Sequence, residues 1–129
     1  MLVPEDLLYS EEHEWVRHDG KGNVHIGITD YAQDALGDIV FVELPAVGAQ
    51  LISDETFGEV ESTKSVSDIF SPVSGIVTQV NEALEDTPEV INQDPYGEGW
   101  ICLVQIEDET QLSSLLSPEA YAQLTEAAQ

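Results

Sequence analysis

Short runs of β-branched and aromatic residues, separated by glycine and proline, constrain the fold of this chain of 129 residues more than any other feature. Such runs occupy residues 24–28, 39–42, 56–62, 66–70, 76–80 and 100–106. Their lengths and their punctuation are typical of strands joined by turns. We therefore expect a β-rich centre, in which the nearly continuous apolar run at 39–42 predicts a strand buried on both faces.

The residue pattern of the N-terminal part predicts a hairpin followed by a helix. Residues 9–19 are expected to form a strand, and the turn-rich stretch 18–23 leads back into the run at 24–28. Thr29 is a favourable N-cap for a helix of about two turns. We expect Ala32, Ala35 and Leu36 to share one face of this helix and Gly37 to end it.

The residue pattern of the C-terminal part predicts helical structure. Leu112, Leu115 and Leu116 follow helical spacing, and the pair Ser117 and Pro118 resembles an N-cap followed by proline at the first helical position. Residues 81–99 are expected to form a long acidic loop with one helical turn near 88–91. The chain thus predicts a β core with helix at its C-terminal end.

The charge of the chain is strongly negative. It has 26 Asp and Glu against 3 Lys and Arg, a formal charge of −23. Such a surface repels nucleic acids and anionic lipids, favours partners with basic faces and disfavours self-association. We therefore expect a monomer that binds neither nucleic acid nor membrane.

The length is that of one compact domain, and the single cysteine permits no internal disulfide. No apolar run is long enough to span a membrane, and the N-terminus lacks the pattern of a signal or transit peptide. We expect a cytoplasmic protein; a mature mitochondrial protein is the alternative.

Lys64 is isolated in a stretch of small polar residues between two predicted strands, while Arg17 and Lys21 lie far back in the chain. A modifying enzyme could reach such an amine and would find no neighbouring lysine to confuse with it. The pattern is therefore compatible with covalent attachment of a cofactor. Most exposed hairpin lysines are unmodified, so the pattern alone favours a plain surface lysine and leaves modification as the alternative.

Other chemistry finds little support in the sequence. Cys102 lies within an apolar run and is expected to be a buried strand residue. His13, His18 and His25 do not have the spacing of a familiar metal site. We therefore predict no catalytic residues and no metal.

Residues 61–68, followed by 71–75, resemble the lipoylation site of the glycine cleavage system H proteins. Thr63 and Ser65 stand where that family often has valine and alanine, and both changes keep the turn small. Further blocks resembling the family follow in its order and extend the similarity from about residue 9 to residue 124. They are residues 13–15, 24–33, 36–38, 42–45, 92–97 and 99–100.

The resemblance implies a mainly β, lipoyl/biotinyl-domain-like flattened sandwich of two antiparallel sheets, with a short internal helix and a C-terminal helix. Residues 1–129 would form a single lipoyl-carrier domain. It would consist of an N-terminal extension at about 1–22, a lipoyl-like core at about 23–106 and a C-terminal helical segment at about 107–127.

The resemblance also implies a non-catalytic carrier with lipoate joined to Lys64 as an amide. The arm would accept an aminomethyl group from a pyridoxal-phosphate glycine decarboxylase and present it to a tetrahydrofolate-dependent aminomethyltransferase. Dihydrolipoamide dehydrogenase would then reoxidise it. A lipoate ligase, or a lipoyl or octanoyl transferase, would attach the group.

Glu14 and Asp68 match family positions that line a cleft for the aminomethylated arm. A cationic amine in such a cleft favours a carboxylate partner. The alternative for both is an ordinary solvated acid, and for Asp68 it is also recognition by the lipoylating enzyme.

Four other functions compete with that of a glycine cleavage carrier. A biotin carrier would have methionines beside the lysine, and a lipoyl domain of a 2-oxoacid dehydrogenase would belong to a longer chain. A lipoyl-relay protein supplying other enzymes would use the same Lys64, so the sequence leaves that role open. An unmodified acidic interaction protein is the alternative from another class.

Overall fold

The computed structural model describes residues 2–127 and contains two antiparallel sheets. The strands are β1 (Leu8–Tyr9), β2 (Glu14–His18), β3 (Asn23–Ile28), β4 (Ile39–Glu43), β5 (Gln50–Leu51), β6 (Thr56–Ser62), β7 (Val66–Phe70), β8 (Gly75–Val80) and β9 (Cys102–Ile106). The helices are α1 (Asp30–Leu36), α2 (Ala83–Asp86), α3 (Val90–Gln93) and α4 (Pro118–Ala127), and a 3₁₀ helix covers Glu109–Ser114.

The larger sheet has the strand order β1-β2-β3-β9-β8-β5, and the smaller has β4-β6-β7. The main apolar cluster takes buried side chains from both sheets, among them Ile26 and Val104 from the larger and Val60 and Ile69 from the smaller. The core therefore lies between the sheets, and the predicted mainly β fold with two antiparallel sheets is confirmed. The N-terminal residues add β1 and β2 to the edge of the larger sheet.

The prediction that residues 39–42 are buried on both faces is wrong. Ile39 and Val42 are buried, whereas Val40 and Phe41 are 50% and 53% exposed. β4 is an edge strand of a sheet that packs on the core through one face only. A register irregularity between residues 39 and 41 gives two consecutive exposed side chains.

The short helix α1 follows the local rules of helix capping. The Thr29 hydroxyl accepts a hydrogen bond from the Ala32 amide at 3.2 Å, and Gly37 follows the helix with φ of 83°. Ala32 and Leu36 pack against the core, as predicted. Ala35 is exposed, so the three residues predicted to share a face do not all contact the core. Because the helix is short and only half-buried, a narrow stripe of it faces the core.

The C-terminal segment packs on the N-terminal strands through a second apolar cluster. Its fully buried aromatic rings are Tyr9, Trp15 and Tyr121, and the rings of Tyr9 and Tyr121 stack at 4.5 Å. Ser117 accepts a hydrogen bond from the Ala120 amide at 3.1 Å, which confirms the predicted cap of α4. The cluster joins the two ends of the chain.

Three details of the C-terminal half differ from expectation. The leucines at 112–116, whose spacing predicted helix, lie in a 3₁₀ helix and in the residues after it. The last strand begins at Cys102, whereas the sequence pattern predicted a strand over 100–106. The loop at 81–99 contains α2 and α3 in place of one helical turn.

Within residues 2–127, no helix combines the length and the apolar character needed to cross a bilayer.

Candidate functional site

Lys64 lies at the tip of the hairpin formed by β6 and β7, where its side chain is exposed. The buried Ser62 hydroxyl accepts hydrogen bonds from the amides of Lys64 and Ser65, each at 3.1 Å. The Ser62 amide in turn donates to the Ser65 carbonyl at 2.8 Å. A side-chain hydroxyl thus fixes the turn backbone, while the lysine side chain stays exposed.

A neighbouring loop supports this tip. The Thr63 amide donates to the Asp38 carbonyl at 3.0 Å. The Asn92 side chain brackets that loop, since its Oδ1 accepts from the Ile39 amide and its Nδ2 donates to the Gly37 carbonyl, both at 2.9 Å. The tip is therefore attached to the body of the protein on the side of α1 and α3.

Glu14 is buried at the start of β2, with 2% of its surface exposed. The Ser10 hydroxyl donates to its Oε1, and the Phe70 amide donates to its Oε2 at 3.3 Å. Burial raises the pKa of this carboxyl to about 8, although both hydrogen bonds act in the opposite direction. Near neutral pH the group holds a proton, and an adjacent cation would favour its ionised form.

A cavity of about 250 Å³ opens beside Glu14. Its walls come from the residues before β2, from 53–54, from 70–72 and from 114–116. Four of the lining side chains are acidic and none is basic: Glu11, Glu12, Glu14 and Asp54. A polar cavity of this charge accommodates a small cation better than an anion.

Lys64 and Asp68 do not line this cavity. Asp68 is exposed and lies opposite Glu59 in the smaller sheet. β7 connects the two regions, since it begins at Val66 beside the tip and ends at Phe70 beside Glu14. The four residue steps between its ends span roughly 13 Å. A lysine side chain is too short for that distance, so only a longer arm on Lys64 would reach Glu14.

The cysteine and the histidines that the sequence analysis considered pack against structural neighbours. Cys102 is fully buried in β9, and burial raises the pKa of its thiol to about 12. His13 Nδ1 lies 2.8 Å from the Tyr121 hydroxyl, and the His25 ring meets the edge of Trp100. Across residues 2–127, no three His, Cys, Asp or Glu side chains are grouped so as to hold a metal ion.

Sequence reasoning missed three residues that shape the site: Ser10, Ser62 and Asn92. A serine two residues before Lys64 is a recognisable turn-closing signal, because its hydroxyl accepts local amide hydrogen bonds. Ser10 gives a weaker signal through its spacing from Glu14. Asn92 gives none, since the Gly37 carbonyl it binds is 55 residues away.

Comparisons with known proteins agree with the fold. Residues 7–128 match the model of the family described as Glycine cleavage H-protein. The chain is 58% identical over 123 residues to the glycine cleavage system H protein of Mycobacterium avium (strain 104), covering 92% of this chain and 93% of that protein. It is 53% identical over 125 residues to its counterpart in Mycobacterium tuberculosis (strain H37Rv), with the same coverage.

A solved structure gives the same result. The crystal structure of a glycine cleavage system H protein from Mycobacterium marinum superimposes with a TM-score of 0.87 at 43% sequence identity. The match covers 95% of this chain and 98% of that one. The similarity thus extends over the whole fold, including both sheets.

Proposed function

Because the chain belongs to the glycine cleavage H-protein family, we propose that it carries its lipoyl group on Lys64. H proteins are lipoyl carriers of the glycine cleavage system and not catalysts by themselves, and enzymes of that system are their partners. One observation carries the assignment to Lys64. It is the exposed amine at the tip of a hairpin whose backbone the Ser62 hydroxyl fixes.

The surroundings of Lys64 suit amide formation. The lysine projects from a turn of small residues, so an enzyme active site can enclose its amine. The other two basic residues, Arg17 and Lys21, lie on β2 and in the turn after it. Amide formation would remove the charge of Lys64 and would place a long arm just before the start of β7.

A lipoyl group supplies a dithiolane that accepts the aminomethyl group of glycine and cycles between disulfide and dithiol. In this proposal the donor is a pyridoxal-phosphate glycine decarboxylase and the acceptor enzyme is the tetrahydrofolate-dependent aminomethyltransferase. Dihydrolipoamide dehydrogenase restores the disulfide. The chain's own part is to present the arm and to associate weakly with each enzyme, which its charge of −23 favours through electrostatic steering.

We further propose that the cavity beside Glu14 receives the amine of the loaded arm. Glu14 supports this role because it is buried, lines the cavity and would gain a cationic partner there. Asp68 was the second residue expected in such a cleft. Its exposed position on the smaller sheet favours the alternative role, recognition by the lipoylating enzyme.

Two broader expectations stay proposals. Residues 1–129 are proposed to form one carrier domain, since β1 and β2 of the N-terminal extension belong to the same sheet as the core strands β3, β8 and β9. The protein is proposed to act as a monomer in the cytoplasm. Its single, buried cysteine suits a reducing compartment.

The test is the intact mass of the protein after incubation with lipoate ligase, lipoate and ATP. We expect one lipoyl increment on the wild type and on the matched control Lys21→Arg, and none on Lys64→Arg. An increment on Lys64→Arg, or none on the wild type while a control lipoyl domain is modified, would contradict the proposal.

A second assay separates a glycine cleavage carrier from a lipoyl relay. The lipoylated protein is mixed with the three partner enzymes, glycine and labelled bicarbonate, and exchange of the glycine carboxyl is followed. A glycine cleavage carrier supports the exchange. A lipoylated protein that is inert in this assay would be a relay only.

A further inference from the structure

The outer face of the smaller sheet presents two rows of side chains next to Lys64. Phe41, Glu61 and Val66 stand opposite one another in the first row, and Glu43, Glu59 and Asp68 in the second. We call these six residues the hairpin face. All six are exposed, with Phe41 at 53% and Val66 at 57%. Their neighbours Val42, Val60 and Ile69 are buried beneath the sheet.

The first row is apolar at both of its ends. A phenylalanine and a valine with more than half of their surface exposed stand on either side of Glu61, on adjacent strands. Val40, also 50% exposed, extends this apolar surface along the edge strand β4. Contiguous exposed apolar groups bordered by polar ones are characteristic of surfaces that bind another protein.

The second row is purely acidic. Glu59 faces Glu43 on one side and Asp68 on the other, an arrangement that is destabilising because like charges stand opposite each other across strands. Within residues 2–127, no basic side chain lies within 4.0 Å of these three carboxylates. A partner with arginine or lysine side chains would compensate them.

The position of the hairpin face beside Lys64 indicates that its partner is the enzyme that acylates this lysine. An enzyme that acylates Lys64 must bring its active site to Nζ itself, and a specific interface covers about 800 Å² of each protein. A four-residue turn cannot supply that area, so the contact must extend onto surface beside the tip. Val66 and Glu61 are the first strand pair below the turn. Enzymes that use the arm react with its far end, so their chemistry does not require contact at Nζ.

We propose that the hairpin face is the docking surface of the lipoylating enzyme, which contacts Phe41 and Val66 with an apolar patch and the acidic row with arginine or lysine side chains. The inference rests on the proposed attachment to Lys64. It adds a recognition surface that extends onto β4, a strand remote in sequence from the lysine.

The test is kcat/KM for lipoylation by lipoate ligase, measured at low and high salt. The variants are Phe41→Ser and the double variant Glu59→Gln/Asp68→Asn. We expect each to lower kcat/KM about tenfold at low salt, a typical effect of removing an interface anchor. The loss in the charge variant should shrink at high salt, whereas the loss in Phe41→Ser should persist.

Matched controls come from elsewhere on the chain. Glu119→Gln/Glu126→Gln removes two exposed acids from α4, which packs near β1, and Val47→Ser removes a valine that is 62% exposed. Both controls should be lipoylated at the wild-type rate. Urea unfolding of every variant verifies the fold.

Four outcomes are informative. A wild-type kcat/KM for lipoylation in the face variants would overturn the proposal. Unchanged lipoylation together with slower turnover by a downstream enzyme would also overturn it, because the face would then serve that enzyme. Equal losses in face and control variants would also overturn it, since net charge alone would then explain the effect. A wild-type protein that is never lipoylated would instead refute the attachment to Lys64.

Discussion

The side chain of Lys64 lies over the backbone of Gly37. A methyl group at the Gly37 Cα would come within 3.0 Å of Lys64 Cε and 3.6 Å of its Nζ. Gly37 also has a φ of 83°, which side-chain-bearing residues rarely adopt. One glycine therefore ends α1 and leaves space for the lysine.

Gly37→Ala should impair both stability and lipoylation. The positive φ makes alanine unfavourable by about 1 kcal/mol or more, and the new methyl group would displace the lysine side chain. Gly20→Ala is the matched control, because Gly20 has a φ of 80° with nothing within 4 Å of the added methyl. Urea unfolding should show a loss in both variants, and intact-mass kinetics should show slower lipoylation only in Gly37→Ala. Equal lipoylation rates would contradict the contact.

The buried carboxyl of Glu14 should make stability depend on pH. Its pKa is raised by burial from 4.5 to about 8, so the folded state holds a proton that the unfolded state releases. Its contribution is complete below pH 4.5 and is lost as the pH rises towards 8. The free energy of unfolding, relative to Glu14→Gln, should fall by up to about 1.4 kcal/mol per pH unit in this window.

The measurement is urea unfolding of wild type and Glu14→Gln at intervals from pH 4 to pH 9. Glu85→Gln, which removes an exposed acid on α2, is the control and should retain the fall that Glu14 causes. A wild-type minus Glu14→Gln difference that is independent of pH would mean that folding leaves the pKa of Glu14 unchanged, and would contradict the effect of burial.

Ser62→Ala should loosen the tip that carries Lys64. The substitution removes the acceptor for two amides, at a cost of about 0.5–1.5 kcal/mol for each hydrogen bond. Hydrogen exchange at the amides of Lys64 and Ser65 should accelerate, and Ser62→Thr, which retains the hydroxyl, should restore protection. Unchanged exchange in Ser62→Ala would show that the backbone alone closes the turn.

Tyr121→Phe should weaken the attachment of α4. The Tyr121 hydroxyl lies 2.7 Å from Thr29 Oγ1 and 2.8 Å from His13 Nδ1, so its removal takes a hydrogen-bond partner from the buried Thr29 hydroxyl and from the half-buried His13 ring. We expect a loss of about 1–3 kcal/mol in unfolding free energy. Tyr31→Phe, which keeps the ring stacked on His13, is the control and should change stability by less than about 0.5 kcal/mol. Equal stability of Tyr121→Phe and wild type would contradict this role.

Features governed by local sequence were predictable. The Thr29 cap, the positive φ of Gly37 and the strands on either side of Lys64 follow from short-range rules, and the structure confirms them. The resemblance to the H proteins supplied the arrangement of the strands in two sheets, which no local pattern determines. It also singled out Glu14 among 26 acidic residues.

Features that depend on distant contacts were not predictable. A continuous apolar run such as 39–42 does not reveal whether a second layer covers the outer face, and here Val40 and Phe41 remain exposed. Asn92 acts on the loop beside Lys64 only because α3 packs near α1. The pKa of Glu14 likewise depends on burial by segments far from it in sequence.

The burial of Cys102 has a consequence for the redox chemistry of a lipoyl carrier. Thiol–disulfide exchange requires an accessible thiolate, and the only cysteine of the chain lies fully buried in β9 with its pKa raised to about 12. The polypeptide thus offers no sulfur with which a dithiolane arm could form a mixed disulfide. Electrons placed on that arm would remain there until a partner enzyme removes them.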